Sequence, residues 1–399
     1  MFKVQGYTKL EQDEPLNKTN RFFSSKLVSL YVISTAVLLV LWNLGNSDEL
    51  KPTLKLYQTS RNAVENGKRD KLSHINQATL LKRGFLKKQA VAGKTEDSKN
   101  TPHTIDTTIY VNTDVKFQEI IGFGGAFTES AAYNFYNLNE TYREQILELY
   151  WGDTGIGYTM GRLPINSCDY SLTSYNFDDV PGDYELKYFD MNVTHDTEVM
   201  IPFILAAMAK VKASNTNKDY VTKPGQYIRL VSSPWSPPPW MKVPQNGVQM
   251  MNGSATPNGL IATPENMAAW ALYLSKFIEA YSLKGIDIWG LTPQNEPLFA
   301  APWEACYFNV SFSHFFVNEY LGPTIRARNP DINILAYDHN KDYLLQWTQF
   351  MLGAGNNSMN YVDGMAFHWY EGSGNRLLDG TFGYGAVYDS YWSFGRSSR

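Results

Sequence analysis

The chain has 399 residues, enough for one large domain or two ordinary ones at roughly 150 residues each. Hydrophobic residues make up 43% and charged residues 19%, so most of the chain can bury a core and a disordered protein is excluded. A formal net charge of −4 argues against the basic face of a nucleic-acid partner.

Residues 27–42 form an apolar run interrupted by Ser29, Ser34 and Thr35. Extended to Leu44, the run reaches the minimum for a membrane helix, about 17–18 residues. Lys3, Lys9, Lys18, Arg21 and Lys26 precede it, and Asp48, Glu49 and Lys51 follow. Positive charge before the run keeps the preceding segment cytoplasmic. The expectation is a cytoplasmic tail over 1–26, a signal anchor over 27–44 and a type II topology, with everything beyond in a lumen or outside the cell. A cleavable signal peptide is the rival reading, but the segment before the run is long and no small-x-small site follows Leu44. A buried soluble helix would need a covering partner that nothing nearby supplies.

Residues 45–103 read as a stalk, rich from residue 51 in Lys, Asn, Gln, Ser and Thr, with Lys82, Arg83, Lys87 and Lys88 as a solvated basic cluster. Asn-x-Ser/Thr sequons stand at Asn139, Asn192, Asn252, Asn309 and Asn356. All fall on the expected lumenal side, which permits glycosylation.

From about residue 108 strands alternate with helices. The pattern predicts strands at 120–127, 157–165, 228–233, 286–292, 332–337 and 364–369. Helices are expected up to about 150 and at 200–212, 264–281, 312–326 and 343–352. Such alternation implies a parallel sheet. Polar or aromatic clusters close each strand, as at the catalytic face of a (β/α)8 TIM barrel. Six strands can be counted where closure needs eight.

The two cysteines, Cys168 and Cys306, exclude a disulfide framework and give no zinc-type spacing. Two free buried thiols are the preferred reading, with a single bridge as the alternative. The glycine cluster at 122–125 lacks the Lys-Ser/Thr of a phosphate loop and reads as close strand packing. No cofactor or metal ion is expected. The 10 Trp, 26 Tyr and 21 Phe suit sugar stacking, although aromatic rings also fill cores.

Leu291-Thr292-Pro293-Gln294-Asn295-Glu296-Pro297 closes the fourth strand. It would project a carboxyl group into the barrel mouth, with an Asn beside it able to hold a hydroxyl. Glycoside cleavage requires a carboxylic acid at the leaving oxygen, and a partly dry site favours the protonated form. Taken singly, each candidate also has a plain role: Trp235 packing between prolines, Asp169 capping a turn, His368 satisfied in a core.

The motifs together are more specific. Gly122-Phe123-Gly124-Gly125-Ala126-Phe127-Thr128-Glu129-Ser130 resembles the first strand of the glucosylceramidase (acid β-glucosidase) family, glycoside hydrolase family thirty. So do Gly155-Ile156-Gly157-Tyr158, Ser167-Cys168-Asp169-Tyr170, the run from Ser233 to Trp240, Asn295-Glu296 and Phe367-His368-Trp369-Tyr370. They follow the family's order and spacing from about residue 108 to 383. The resemblance implies a glycoside hydrolase domain over 104–383 that cleaves glucosylceramide or a related β-glucoside with retention. It implies Glu296 as general acid/base and Asn295 as glucose ligand beside the nucleophile. Asp169 and Trp235 would hold glucose hydroxyls, and His368 and Tyr370 would line the same pocket. No activator protein can be named from the sequence.

The resemblance also implies a second carboxylate, about 5 Å from the first, as nucleophile. The family's spacing places it just past residue 399, and residues 384–399 diverge from the family pattern. The expectation is a barrel truncated after about six strands and inactive in this form. Asp338, Glu304 and Glu371 do not match the nucleophile's position. Two other readings stand beside glucosylceramidase: an inactive sugar- or glycolipid-binding fragment, and a same-family hydrolase of a β-1,6-glucan or xylan.

Overall fold

The computed structural model describes residues 114–116, 119–214, 227–353 and 360–370, together with the backbone of two strands at 53–58 and 73–79. The chain divides into two compact units, residues 1–119 and 120–399. The anchor expected over 27–44 and the tail over 384–399 lie outside the described residues. Among the described residues no helix is long and apolar enough to cross a membrane.

In the first unit, β1 (Thr53–Gln58) pairs antiparallel with β2 (Ser73–Thr79), from Thr53 opposite Thr79 to Gln58 opposite Ser73. The segment read as a stalk therefore contains an antiparallel strand pair. Leu54 and Leu56 alternate with Thr53, Lys55 and Tyr57, a period-two pattern too short to stand out among polar neighbours.

The second unit is built on six parallel strands in sequential order. These are β3 (Gly124–Ala126), β4 (Met160–Ile165), β5 (Arg229–Pro234), β6 (Ile288–Leu291), β7 (Asn333–His339) and β8 (Val362–Phe367). All six predicted strands are present. The first is shorter than expected, three residues in place of eight. Its glycines explain both the position and the brevity. A Cβ on Gly124 would lie 1.9 Å from the Met160 carbonyl oxygen, so β3 approaches β4 at a distance only glycine permits.

The helices follow from periodic apolar residues and local caps. The expected first helix is two: α1 (Glu129–Tyr136) and α2 (Glu140–Trp151). Asn139 divides them, because its side chain accepts the Tyr142 N–H and starts a new helix. A short α3 (Thr194–Thr197) leads into α4 (Met200–Ala213). In α5 (Pro264–Leu283) Thr263 caps, Pro264 occupies the first turn, and Trp270, Tyr273, Leu274, Phe277, Ile278 and Tyr281 are buried on one stripe. Each such side chain contributes roughly 1.5–3 kcal/mol of burial free energy.

The helix expected over 312–326 is α6 (Val310–Phe316), a π-helical turn (Val317–Leu321) and α7 (Gly322–Arg328). Pro323 has no N–H to give to the preceding turn, and the wider turn accommodates that loss. Gly322 lies so close to the Tyr361 ring that a Cβ would come within 2.3 Å of it. The last described helix, α8 (Leu344–Leu352), packs against β7 and β8. Both cysteines are free and buried. Burial pushes the Cys168 thiol up to about 11 and the Cys306 thiol up to about 12.

Candidate active site

The chain leaves each strand through backbone bonds that bring polar residues to one end of the sheet. After β6, the Thr292 N–H bonds Ser232 O at 2.9 Å and the Asn295 N–H bonds Pro234 O at 2.8 Å. The next N–H, of Glu296, crosses to Asp338 O at 2.9 Å, and the His368 N–H reaches His339 O at 2.7 Å. Glu296 therefore spans from β6 to the end of β7.

Three residues here hold left-handed backbone: Glu296 at φ 46°, Tyr337 at 81° and Asp338 at 55°. Such conformations cost on the order of 1–3 kcal/mol each and persist where surrounding contacts enforce them. The register shift between Tyr337 and His339 is the bulge that turns Asp338 toward its neighbours.

The side chains form one connected cluster. Arg162, in the middle of β4, donates to Asn295 Oδ1 at 2.7 Å, to Asp338 Oδ2 at 2.9 Å and to Ser233 Oγ at 3.2 Å. Thr292 Oγ1 donates to Asp338 Oδ2 at 2.7 Å. His368 bridges two carboxylates, with Nε2 at 2.9 Å from Asp338 Oδ1 and Nδ1 at 3.0 Å from Glu296 Oε1. The Arg162 guanidinium also lies 4.6 Å above the Trp235 ring.

The electrostatics follow from this geometry. Burial would raise the Asp338 carboxyl, but the Arg162 charge and hydrogen bonds from His368 and Thr292 hold it well below the usual carboxylate range. Burial alone would lower His368; its bonds to Asp338 and Glu296 instead push it up to about 9. At neutral pH its ring is an imidazolium, donating from both nitrogens. Asp169 stands exposed at the rim. Partial desolvation and the Glu296 and Glu304 charges raise its carboxyl, and a hydrogen bond from Trp235 opposes them.

The sequence-expected residues separate into a core and a rim. Asn295, Glu296 and His368 lie in the cluster, and Trp235 touches it through Arg162. Asp169 stands beside Trp235, whose side chain lowers its carboxyl. Tyr370 is exposed, its ring 6.2 Å from that of His368. The alternatives for a second carboxylate are placed as well. Asp338 is buried and fully engaged, and Glu304 is buried with both Ser167 and Ser174 hydroxyls on one oxygen. Glu371 lies outside the described residues.

Arg162, Ser233 and Thr292 were not expected. The available signal was a lone charge in Met160–Ile165, an otherwise apolar strand, which implies a buried partner of opposite sign. A cleft of about 710 Å³ opens where β6 and β7 begin, lined by Ile288 and Asn333 among others. It contains none of the cluster's residues. Among the described residues no group of His, Cys, Asp and Glu is arranged to hold a metal ion.

The glycosyl hydrolase family 30 TIM-barrel domain matches residues 120–382. The chain belongs to that family. A putative glucosylceramidase of Caenorhabditis elegans is 36% identical over 285 residues, 70% of this chain and 51% of that protein. The lysosomal acid glucosylceramidase of Mus musculus is 33% identical, covering 64% of this chain and 46% of the relative. A solved endo-beta1,6-glucanase superposes with a TM-score of 0.54 at 27% identity, covering 67% of this chain and 56% of that one. The family 30 chain thus spans about half the length of these curated relatives, and it is related to glucosylceramidases and to endo-β-1,6-glucanases alike.

Proposed function

We propose that this family 30 chain carries the glucose pocket and the general acid/base of a retaining β-glucosidase whose substrate is glucosylceramide or a close β-glucoside. The observation that carries the reading is the His368 bridge. One ring fixes Glu296 through Oε1, while Asp338, locked by Arg162 and Thr292, fixes the ring. No hydrogen bond from the described residues is made to Glu296 Oε2, so that oxygen is available to a leaving group. Asn295, held by Arg162, offers its amide N–H to a sugar hydroxyl beside the acid. Asp169 accepts hydroxyl hydrogens at the rim, and Trp235 supplies an apolar wall. Tyr370 lines the outer edge. The nucleophile is assigned to none of the described residues.

The similarity to glucosylceramidases supports the lipid glucoside. The similarity to an endo-β-1,6-glucanase supports a β-glucan as the second reading. The apolar run over 27–44 in the sequence supports an anchor that brings a lumenal pocket to a membrane substrate.

Competition separates the two substrates. Glucosylceramide in detergent micelles should displace a glucose-shaped iminosugar from the chain, and β-1,6-linked gluco-oligosaccharides should not. Displacement by the oligosaccharides alone would replace the first reading with the second.

A further inference from the structure

The turn that presents Asp169 is held by residues outside the strand-end cluster. The segment closes on itself, with the Ser167 N–H on Tyr175 O at 3.1 Å and the Tyr175 N–H on Ser167 Oγ at 3.0 Å. At its crown Cys168 to Ser171 make a tight turn, closed by the Ser171 N–H on Cys168 O at 2.9 Å. Asp169 lies inside that turn. Two contacts with the start of α1 flank it. The Ser130 N–H bonds Tyr170 O at 3.0 Å, and the Leu172 N–H bonds Glu129 Oε2 at 2.8 Å.

Glu129 is buried, 7% exposed, and a buried carboxylate is costly unless its oxygens are engaged. Its other oxygen, Oε1, lies 2.9 Å from His195 Nε2. The His195 ring stacks on Tyr175 with centroids 3.6 Å apart and planes 20° from parallel. Tyr175 in turn donates its hydroxyl to Asp196 at 2.7 Å, and Tyr281 donates to the second Asp196 oxygen. Glu129, His195 and Tyr175 thus close a ring of contacts around the base and crown of the Asp169 turn. On the opposite flank, Ser167 and Ser174 bond Glu304 at 2.9 and 2.5 Å.

We propose that Glu129 is a positioning residue for sugar binding, setting through Leu172 where the Asp169 carboxylate stands over the pocket, with His195 holding Glu129 in place. This role rests on the glucoside-pocket reading above. Glu129 touches no substrate; it acts by fixing the backbone on which a ligand residue is carried, where a displacement of an ångström is expensive.

The test compares Glu129→Ala and Glu129→Gln in the full chain, using amide hydrogen exchange and titration with a glucose-shaped iminosugar. Glu129→Ala should speed exchange at Leu172 while the β4 and β5 amides keep their protection. The same variant should raise the iminosugar Kd by roughly tenfold to a hundredfold, the loss of one hydrogen bond to a charged group. Glu129→Gln keeps an oxygen for the Leu172 N–H and should restore most of both. Faster exchange at Leu172 with unchanged affinity would overturn the positioning role. Protection lost equally across β4 and β5 would overturn it too, by showing a general structural role. A wild-type chain that binds no iminosugar would instead overturn the glucoside reading, and this role with it.

Discussion

Glu296 and Asp338 are both carboxylates at strand ends, yet their surroundings assign them different work. Asp338 receives bonds from Arg162, Thr292 and His368 and is 3% exposed, so it serves as a fixed negative charge. Glu296 shares one oxygen with His368, and the proposed acid role falls to the other. In an active form, Glu296→Gln should lower turnover by about 10²–10⁴-fold. Substrates with a very good leaving group should lose less in the first step, because they need no proton. Near wild-type turnover on glucosylceramide would show that Glu296 is not the acid. Replacing Arg162 by Leu leaves Asp338 buried with its strongest partner gone and should destabilise the fold by about 3 kcal/mol in a denaturant melt. His368 adds a pH dependence. Its folded value, about 9, lies above the unfolded value of roughly 6.5. Its stabilisation is therefore complete below about pH 6.5 and is lost as pH rises through about 9. The thermal midpoint should fall across that window, and His368→Gln should flatten the fall. The Asn295-Glu296 motif was legible because it is contiguous. The Arg162–Asp338 pair was not, because its partners are 176 residues apart and are brought together only by folding.

At the scale of elements, five of the six strands were legible because apolar runs end at Gly, Pro or polar residues, which also mark where a parallel strand stops. The first strand was over-extended, since the sequence shows that glycines are present but not how near β4 will lie. The break at Asn139 and the π-helical turn before Pro323 depend on single caps and missing donors, which a periodicity count averages away. The close approach of β3 and β4 gives a direct test. Gly124→Ala would drive a methyl into the Met160 carbonyl and should destabilise the chain by about 1–3 kcal/mol or more, read as a lower urea midpoint. An unchanged midpoint would mean that β3 does not pair with β4 as described.

For the whole molecule, five of the six parallel strands, β4 to β8, bring side chains to one polar cluster, and the family match covers that same span. The proposed membrane placement is tested separately by expression with microsomes. The chain should resist carbonate extraction and shift in mobility on endoglycosidase treatment, with exposed Asn139 and Asn192 as the first acceptors. Carbonate release with no mobility shift would contradict that placement. The proposed glucose pocket around His368 is tested by calorimetric titration with a glucose-shaped iminosugar. Saturable one-to-one binding is expected, weakened about tenfold or more in Asp169→Ala by the loss of hydrogen bonds to sugar hydroxyls and in Trp235→Ala by the loss of the apolar wall. Absence of binding to the wild-type chain, or equal affinity in all three proteins, would contradict it.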